Sequence, residues 1–300
     1  MFTSGKTIYP EMQVPLWYNA AEDLRFVPPE PRYRLILIGE GAGILRYRDC
    51  QTLFTAPAVF CLHELEQPEP EHCSGVKAVA LYFDPNYINS AFTFENLRHG
   101  SDGFSQTEFR DRHWLRPFFQ REANYAGYLK IGPLTAGRML KLLDRIQAEL
   151  ADQPDGYWPC RSRSYLLELL FLTERIYQEP RFIDEVAADD LGEIGKILVY
   201  LHTRYKEKVS ISGLTQTFQI NRTSLAAKFQ KATGMSIMSY LIRLRVNLAA
   251  FILRDSMVPV AEIIERVGFQ DHAHFNRMFH KHFGCSPNEY RQQNCWLIQN

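Results

Sequence analysis

The 300-residue sequence lacks the features that mark membrane and secreted proteins. No apolar run approaches the ~20 residues that a helix needs to cross a bilayer. The first residues contain no basic segment followed by an apolar one, so no secretory signal is predicted. The length suits about two domains, each with its own core. We therefore expect a cytoplasmic protein without a membrane partner.

Paired cysteines are also missing. The six cysteines form no CxxC pair and no disulfide-framework spacing, so we expect reduced thiols. Cys61 and His63, with His72 and Cys73 across an acidic loop, are residue types that bind zinc. Their spacing matches no familiar structural zinc pattern, so a metal site is the weaker alternative. We predict no cofactor.

The formal net charge of zero hides a division along the chain. Residues 191–300 hold 14 lysines and arginines against 7 acidic residues, a net charge of +7, and the remainder carries −7. A basic C-terminal third on an acidic body indicates a polyanion partner for that third alone.

Short β-rich runs divided by glycine or proline cover about 33–83, in particular 33–38, 44–48, 59–62 and 76–83. Such runs predict a small antiparallel barrel or jelly roll. The interior of a barrel of this kind offers a pocket for a small-molecule effector, although a packed core without a ligand is the alternative. The residues predicted to line the pocket, where they point inward, are Arg34, Ile36, Ile38, Leu45, Tyr47, Leu62, Leu81 and Phe83.

Two amphipathic helices are predicted next, at 135–151 and 161–178. The acidic, proline-bearing stretch 179–190 is typical of a linker between domains. We therefore divide the chain into an N-terminal domain at 1–183, a linker at 184–191 and a C-terminal domain at 192–300.

The C-terminal third contains the helix-turn-helix pattern twice, at 211–234 and at 260–284. A long amphipathic pattern at 236–254 joins the copies and predicts a rigid helix of about 28 Å. That length suits two units about one DNA turn apart, a spacing of ~34 Å. The helices predicted in this third are 191–206, 210–218, 221–232, 236–254, 259–267, 271–283 and 287–291.

Local signals place the ends of these helices. Pro259 suits a first helical position, and Ser286 suits an N-cap followed by Pro287. Glycines 234, 268 and 284 follow or separate helices, where a positive φ is often required.

The second helix of each unit is the one that enters the major groove. Arg277 is able to donate a bidentate pair to guanine, whereas Ala226 and Ala227 offer only methyl contacts. We therefore expect the second unit to discriminate bases more than the first. The predicted DNA-contacting residues are Asn221, Arg222, Thr223, Ser224, Ala227, Lys228, Lys231, His272, Ala273, His274, Asn276, Arg277, His280 and Lys281.

The run at 261–269, with 275–291, resembles the signature of AraC/XylS-type transcriptional regulators. Residues 229–234 and 240–245 match the same family's first unit and linking helix. The sequence departs from the family pattern at Thr215, where alanine is common, at Lys228, where an apolar residue is usual, and at Ala226-Ala227. These departures concern the base specificity of the first unit.

The N-terminal part resembles, more loosely, the cupin-type effector domain that many family members carry. The resemblance implies a small ligand in the barrel and a homodimer formed through the helical pair. The predicted fold is therefore α+β and multidomain, with a cupin-like antiparallel β-barrel and helical pair followed by an all-α domain of two helix-turn-helix units.

We predict an effector-controlled, sequence-specific regulator of transcription that binds double-stranded DNA, with RNA polymerase as a further candidate partner. An enzyme is not expected, because the strand runs 33–38, 44–48 and 76–83 contain none of the histidines that an enzymatic cupin needs. The alternatives are a metal-dependent cupin enzyme with a DNA-tethering tail, and a constitutive DNA binder whose barrel only dimerises it.

Overall fold

The computed structural model describes residues 1–47, 50–100, 103–122, 125–178 and 192–295. An N-terminal region of strands and helices precedes a helical C-terminal region. The strands are β1 (Thr3–Ser4), β2 (Gln13–Val14), β3 (Leu16–Asn19), β4 (Tyr33–Tyr47), β5 (Cys50–Thr55), β6 (Ala58–Leu62), β7 (Glu69–Phe83) and β8 (Tyr128–Lys130). The helices are α1 (Phe94–His99), α2 (Gln106–Phe119), α3 (Pro133–Asp152), α4 (Trp158–Gln178), α5 (Gly192–Thr203), α6 (Ile211–Phe218), α7 (Arg222–Thr233), α8 (Ile237–Asp255), α9 (Val260–Arg266), α10 (His272–Phe283) and α11 (Pro287–Asn294).

Six strands form one antiparallel sheet in the order β3-β7-β4-β6-β8, and β5 pairs with the second half of β4. Strands β1 and β2 form a separate two-stranded ribbon. Among the described residues, the outer strands β3 and β8 do not pair with each other. The hydrogen-bonded order is therefore that of an open, curved sheet, and the closed ring of the predicted barrel is not seen in it.

The glycine-rich stretch 39–43 bends a strand and does not end it. The sequence predicts two strands, at 33–38 and 44–48, but the structure has one long strand whose pairing with β7 shifts register between Ile38 and Ile44. Gly41 has a φ of +90°, and a Cβ there would lie 2.5 Å from the carbonyl oxygen of Gly75. Glycine is needed because the two backbones approach so closely at this bulge.

The two faces of the sheet pack against different parts of the protein, because side chains alternate along a strand. Before the bulges, the odd-numbered residues of β4 face the helical layer of α2, α3 and α4. The even-numbered ones face the concave inner side of the curved sheet, where they meet an aromatic group from β3, β5, β6 and β7. That group consists of Trp17, Phe54, Phe60 and Tyr82 with Phe26.

The predicted helical pair is present, as α3 and α4, within three residues of its predicted ends. The sequence did not predict α1 and α2, since Pro117 inside α2 is an unfavourable residue for a helix interior. Both the predicted linker and the predicted domain boundary lie at 179–191, outside the described residues.

The helices of the C-terminal region follow their predicted bounds closely. Ser286 is the N-cap of α11 and Pro287 occupies the first turn, as predicted. Ser286 also forms a capping box with Glu289. Pro259 is the N-cap of α9, one position before its predicted place. Among the described residues, no single helix is long and apolar enough to span a bilayer, although α7 and α8, bent by 46°, pass that test as a pair by length and composition.

Candidate nucleic-acid interface

The first helix-turn-helix unit, hereafter the first unit, consists of α6, α7 and the turn between them. Ser210 caps α6 by accepting a hydrogen bond from the backbone N–H of Gly213. Gln219 ends the helix in the left-handed region, with a φ of 53°. Asn221 then caps α7, because its side-chain oxygen accepts from the N–H of Ser224 at 2.8 Å. The turn therefore holds its angle through local polar contacts.

The second helix-turn-helix unit, hereafter the second unit, consists of α9, α10 and their turn. Gly268 has a φ of +86°, and a Cβ there would lie 2.8 Å from the backbone of Lys206. Asp271 caps α10 by accepting from the N–H groups of Ala273 at 2.8 Å and His274 at 3.1 Å. These hydrogen bonds are the main reason why the pKa of Asp271 lies below its usual value.

The long helix α8 joins the two units by contributing to a different core at each end. Near its start, Ile237 and Tyr240 pack with Leu225 and Phe229 of the first unit. From Leu244 onward, its buried side chains pack with α9, α10 and α11. The predicted linking helix is thus present, and its 19 residues correspond to about 28 Å.

The second helices of the two units, α7 and α10, are hereafter called the reading helices. They expose most of the predicted DNA-contacting side chains. Leu225 and Phe229 are buried in the first unit, and Phe275 and Phe279 in the second, as the helical spacing predicts. The exposed residues of the predicted set are Asn221, Arg222, Thr223, Ala227, Lys228, Lys231, His272, Ala273, Asn276, Arg277, His280 and Lys281. Ser224 and His274 are half-buried.

Three of the predicted side chains have a structural contact in addition. Asn221 is occupied as the cap of α7, and the ring of His274 packs edge-on against Phe269, with centroids 5.6 Å apart. Lys228 forms an ion pair with Glu193 of α5 at 2.8 Å. The capping role was readable from the sequence, because Asn and Asp are preferred N-caps. The Lys228 pair was not, because it joins helices 35 positions apart.

The predicted effector-binding residues divide between the two faces of the sheet. Arg34, Ile36, Ile38, Leu45 and Leu62 are all buried on the concave inner side. Leu81 and Phe83 lie on the opposite face, packed against the helical layer. Side chains alternate along β7, and its even-numbered residues, such as Tyr82, are the ones that face the concave side. The side chain of Tyr47 lies outside the described part of the chain.

Arg34 is the charged member of the inner group. Its guanidinium donates to the backbone carbonyls of Phe26 and Glu66, and burial lowers its pKa. A cavity of about 180 Å³ opens beside it, lined by the proline-rich segment 27–31 and by Glu64, Glu66 and Gln67. On the same face, Glu22 accepts a hydrogen bond from Tyr82 at 2.7 Å, and burial raises the pKa of the Glu22 carboxyl.

The possible zinc ligands belong to different environments. Cys61 is fully buried, and burial raises the pKa of its thiol to about 12, whereas Cys73 is exposed. The Nδ1 of His63 accepts a hydrogen bond from the N–H of Leu65 at 3.1 Å, and its Nε2 lies 3.3 Å from a carboxylate oxygen of Glu66. Within the described ranges, no three histidine, cysteine or acidic side chains are arranged to hold a metal ion.

Several known proteins are similar to the C-terminal region. Residues 214–293 match the family model described as a helix-turn-helix domain. The uncharacterised HTH-type transcriptional regulator YdiP of Escherichia coli is 35% identical over 108 residues, which cover 35% of this chain and 36% of that protein. The HTH-type transcriptional activator RhaS of Citrobacter koseri is 30% identical over 132 residues, 44% of this chain and 48% of that protein.

Among solved structures, a transcriptional regulator from Chromobacterium violaceum with an AraC-type DNA-binding domain is 22% identical. It covers 35% of this chain and 94% of its own, with a TM-score of 0.33. The chain spans less than half the length of the curated relatives it matches. The match to the family model covers the helix that joins the two helix-turn-helix units and both units, apart from the first residues of α6.

Proposed function

We propose that this chain, whose C-terminal region is a helix-turn-helix domain of the AraC type, is a transcription regulator that reads two segments of DNA major groove. The observation that carries the proposal is the pair of units at the two ends of α8. Each unit buries the apolar side of its second helix and exposes the polar, basic side. A rigid helix of about 28 Å suits groove segments about one turn apart.

The exposed side chains suggest separate roles in DNA binding. Arg277 is assigned to a bidentate contact with guanine and Asn276 to an adenine edge, since both point outward from α10. Arg222, Lys231 and Lys281 are assigned to phosphates, which fix the position of the protein on DNA. The first unit, with Ala226 and Ala227 exposed, contributes mainly position and the second unit mainly base discrimination.

The N-terminal region is proposed to be a cupin-like effector domain at about 1–183, ahead of a DNA-binding domain at 192–300. Its small-molecule effector is assigned to the concave side of the sheet, where the buried side chain of Arg34 lies beside the cavity. The helical pair α3 and α4 is assigned to a homodimer, since it exposes Leu134, Leu140 and Phe171. Activation through RNA polymerase completes the proposal.

The test of DNA binding uses the full-length chain and its native genomic sites. Binding that involves six to ten phosphates is expected to weaken about 10³- to 10⁵-fold between about 50 and 200 mM salt. Lys281→Ala should reduce the slope of log affinity against log salt by about 1. Lys141→Ala, an exposed lysine on α3, is the matched control and should leave the slope unchanged. Salt-independent binding, or none, would contradict the proposal.

A further inference from the structure

Strands β4 and β5 are shared between the sheet and the first unit. Beyond the bulges of β4, Ala42 and Ile44 point away from the concave side and enter one apolar cluster with Leu53 of β5. The same cluster contains buried residues of α5, α6, α7 and α8, among them Ile197 and Leu225. The core of the first unit is thus completed by residues of the N-terminal sheet.

The other side of the same two strands contributes to the apolar cluster of the concave side, the side to which the effector is assigned. Leu45 and Phe54 are neighbours of Ile44, Leu53 and Thr55 in sequence, and they point to the concave side, with the aromatic group. Because side chains alternate along each strand, one layer of backbone separates the effector side from the first unit. A shift of the backbone on one side must therefore move side chains on the other.

Polar contacts cross the same boundary. His202 of α5 makes a hydrogen bond with the Thr55 hydroxyl through Nδ1, and with the Tyr240 hydroxyl of α8 through Nε2 at 2.8 Å. All three side chains are at most 5% exposed. The ring of Tyr240 packs edge-on against Phe229 of the reading helix α7, with centroids 5.5 Å apart. A continuous path of contacts therefore leads from β5 to the reading helix of the first unit.

The second unit is built differently. The apolar core that surrounds Phe275 and Phe279 is formed, among the described residues, by side chains from 205 onward. Contact with the N-terminal region is made by the last turns of α8, where Asp255 accepts from Thr135 at 2.9 Å and Lys130 lies over the ring of Phe251. That contact holds the end of α8 against the N-terminal region but adds no residue of that region to the core of the second unit.

We propose that the N-terminal sheet controls the first unit selectively, through the shared strands β4 and β5 and the Thr55–His202–Tyr240 hydrogen bonds. Occupancy of the concave side sets the position of β5, and β5 sets the order and orientation of α7. The second unit keeps its structure in both states. This regulation rests on the proposed function only for its consequence on DNA; the coupling itself is a property of the fold.

The first experiment measures hydrogen exchange of the full-length chain carrying Thr55→Val. This change keeps the side-chain shape but leaves a buried nitrogen of His202 without its hydroxyl partner. Exchange at 211–233 is expected to become about tenfold faster, while exchange at 260–283 is unchanged. Thr52→Val, the same change three residues earlier on β5, is the control. Equal acceleration in both units, or none in the first, would overturn the proposal.

The second experiment asks whether a change on the concave side reaches the first unit. Phe54 and Phe60 are both fully buried there, with ring centroids 5.4 Å apart, but only Phe54 belongs to a shared strand. Phe54→Leu is expected to alter exchange at 211–233 several-fold more than Phe60→Leu does. Equal effects of the two substitutions would show that general loss of packing, and not the shared strand, is responsible.

DNA footprinting separates this inference from the proposed function. With Thr55→Val, protection is expected to fall at the groove segment of the first unit and to persist at that of the second. If the full-length protein does not protect DNA at all, the proposed function fails, whereas the exchange results still decide the coupling. Loss of protection at both segments together would contradict selective control.

Discussion

The two helix-turn-helix units share a motif but differ in what completes their cores. The second unit surrounds Phe275 and Phe279 with its own helices and with α11, whose capping box at Ser286 fixes its start. The first unit packs Leu225 and Phe229 against α5 and, through it, against Ile44 and other residues of the sheet. One motif is therefore self-sufficient and the other is part of a larger core.

This difference matters for how a signal reaches DNA. A core that is shared between two regions responds to movement in either of them, whereas a self-contained core is insulated by its dense packing. The exposed residues support the same distinction, because the methyl groups of Ala226 and Ala227 give the first unit few contacts with which to discriminate bases. A unit that mainly positions the protein is well suited to adjustment, since its loss weakens binding without changing the sequence that is read.

The largest expected effect comes from truncating the core of each unit in turn. Phe279→Ala and Phe229→Ala remove equivalent, fully buried rings, and each is expected to lower the free energy of unfolding by about 3–5 kcal/mol. Hydrogen exchange should show loss of protection confined to 260–294 for Phe279→Ala. For Phe229→Ala the loss should extend to 42–47 and 50–55 in the sheet. Equally confined effects would remove the contrast between the units.

The second prediction compares the exposed arginines of the two reading helices. Arg277→Ala should cost ~1–3 kcal/mol on a specific site and relax discrimination at one base position. Arg222→Ala should weaken binding about equally on all sequences, because a phosphate contact carries no base information. Selection of binding sites from a random DNA pool measures both. Unchanged selectivity of Arg277→Ala would contradict its assigned role.

The helices of both units could be predicted because their determinants are local. Apolar spacing fixes α7, α8 and α10, and glycines 234, 268 and 284 all have the positive φ that their positions predict. Cap residues such as Ser286 fix the ends within two or three residues. The exposed faces of the reading helices follow from the same periodicity, so most of the candidate site was predictable.

The N-terminal sheet was less predictable, because its decisive features are long-range. The glycines at 39–43 suggest a turn by composition, and only the approach of Gly75 explains why they mark bulges within β4. Leu81 and Phe83 lie on the face opposite the predicted pocket because Leu81 pairs with Leu35 of β4, and the register between two strands cannot be read from either strand alone. Contacts such as Thr55 to His202, 147 positions apart, have no signature in the sequence.

The third prediction tests the contact between the end of α8 and the start of α3. Burial raises the pKa of Asp255, although Arg254 and the hydrogen bond from Thr135 oppose the shift. Because the folded-state pKa is raised, the stabilisation from protonating Asp255 is complete below the usual value of 3.8 and is lost as the pH rises through the folded-state pKa.

The measurement is urea unfolding of the wild type and of Asp255→Asn across this pH range. Asparagine cannot ionise but still accepts a hydrogen bond, so the wild type should lose stability relative to the variant as the pH rises. Asp144→Asn, an exposed aspartate on α3, is the control and should track the wild type. Parallel curves for wild type and Asp255→Asn would show that the pKa of the Asp255 carboxyl is not raised in the folded protein.

The smallest expected effect concerns the ion pair between Lys228 and Glu193. Both side chains are more than half exposed, so the pair itself is worth at most about 1 kcal/mol. Lys228 must leave Glu193 before it can contact a phosphate, whereas Lys281 forms no such pair among the described ion pairs. Glu193→Gln should therefore raise DNA affinity slightly, by about two- to fivefold at low salt, since it releases a lysine and removes a negative charge.

Glu265→Gln, which changes an exposed glutamate on α9, controls for net charge alone. If both substitutions raise affinity equally, the ion pair does not keep Lys228 from contacting DNA. The two units then differ in how their cores are built but not in how freely their lysines contact phosphates.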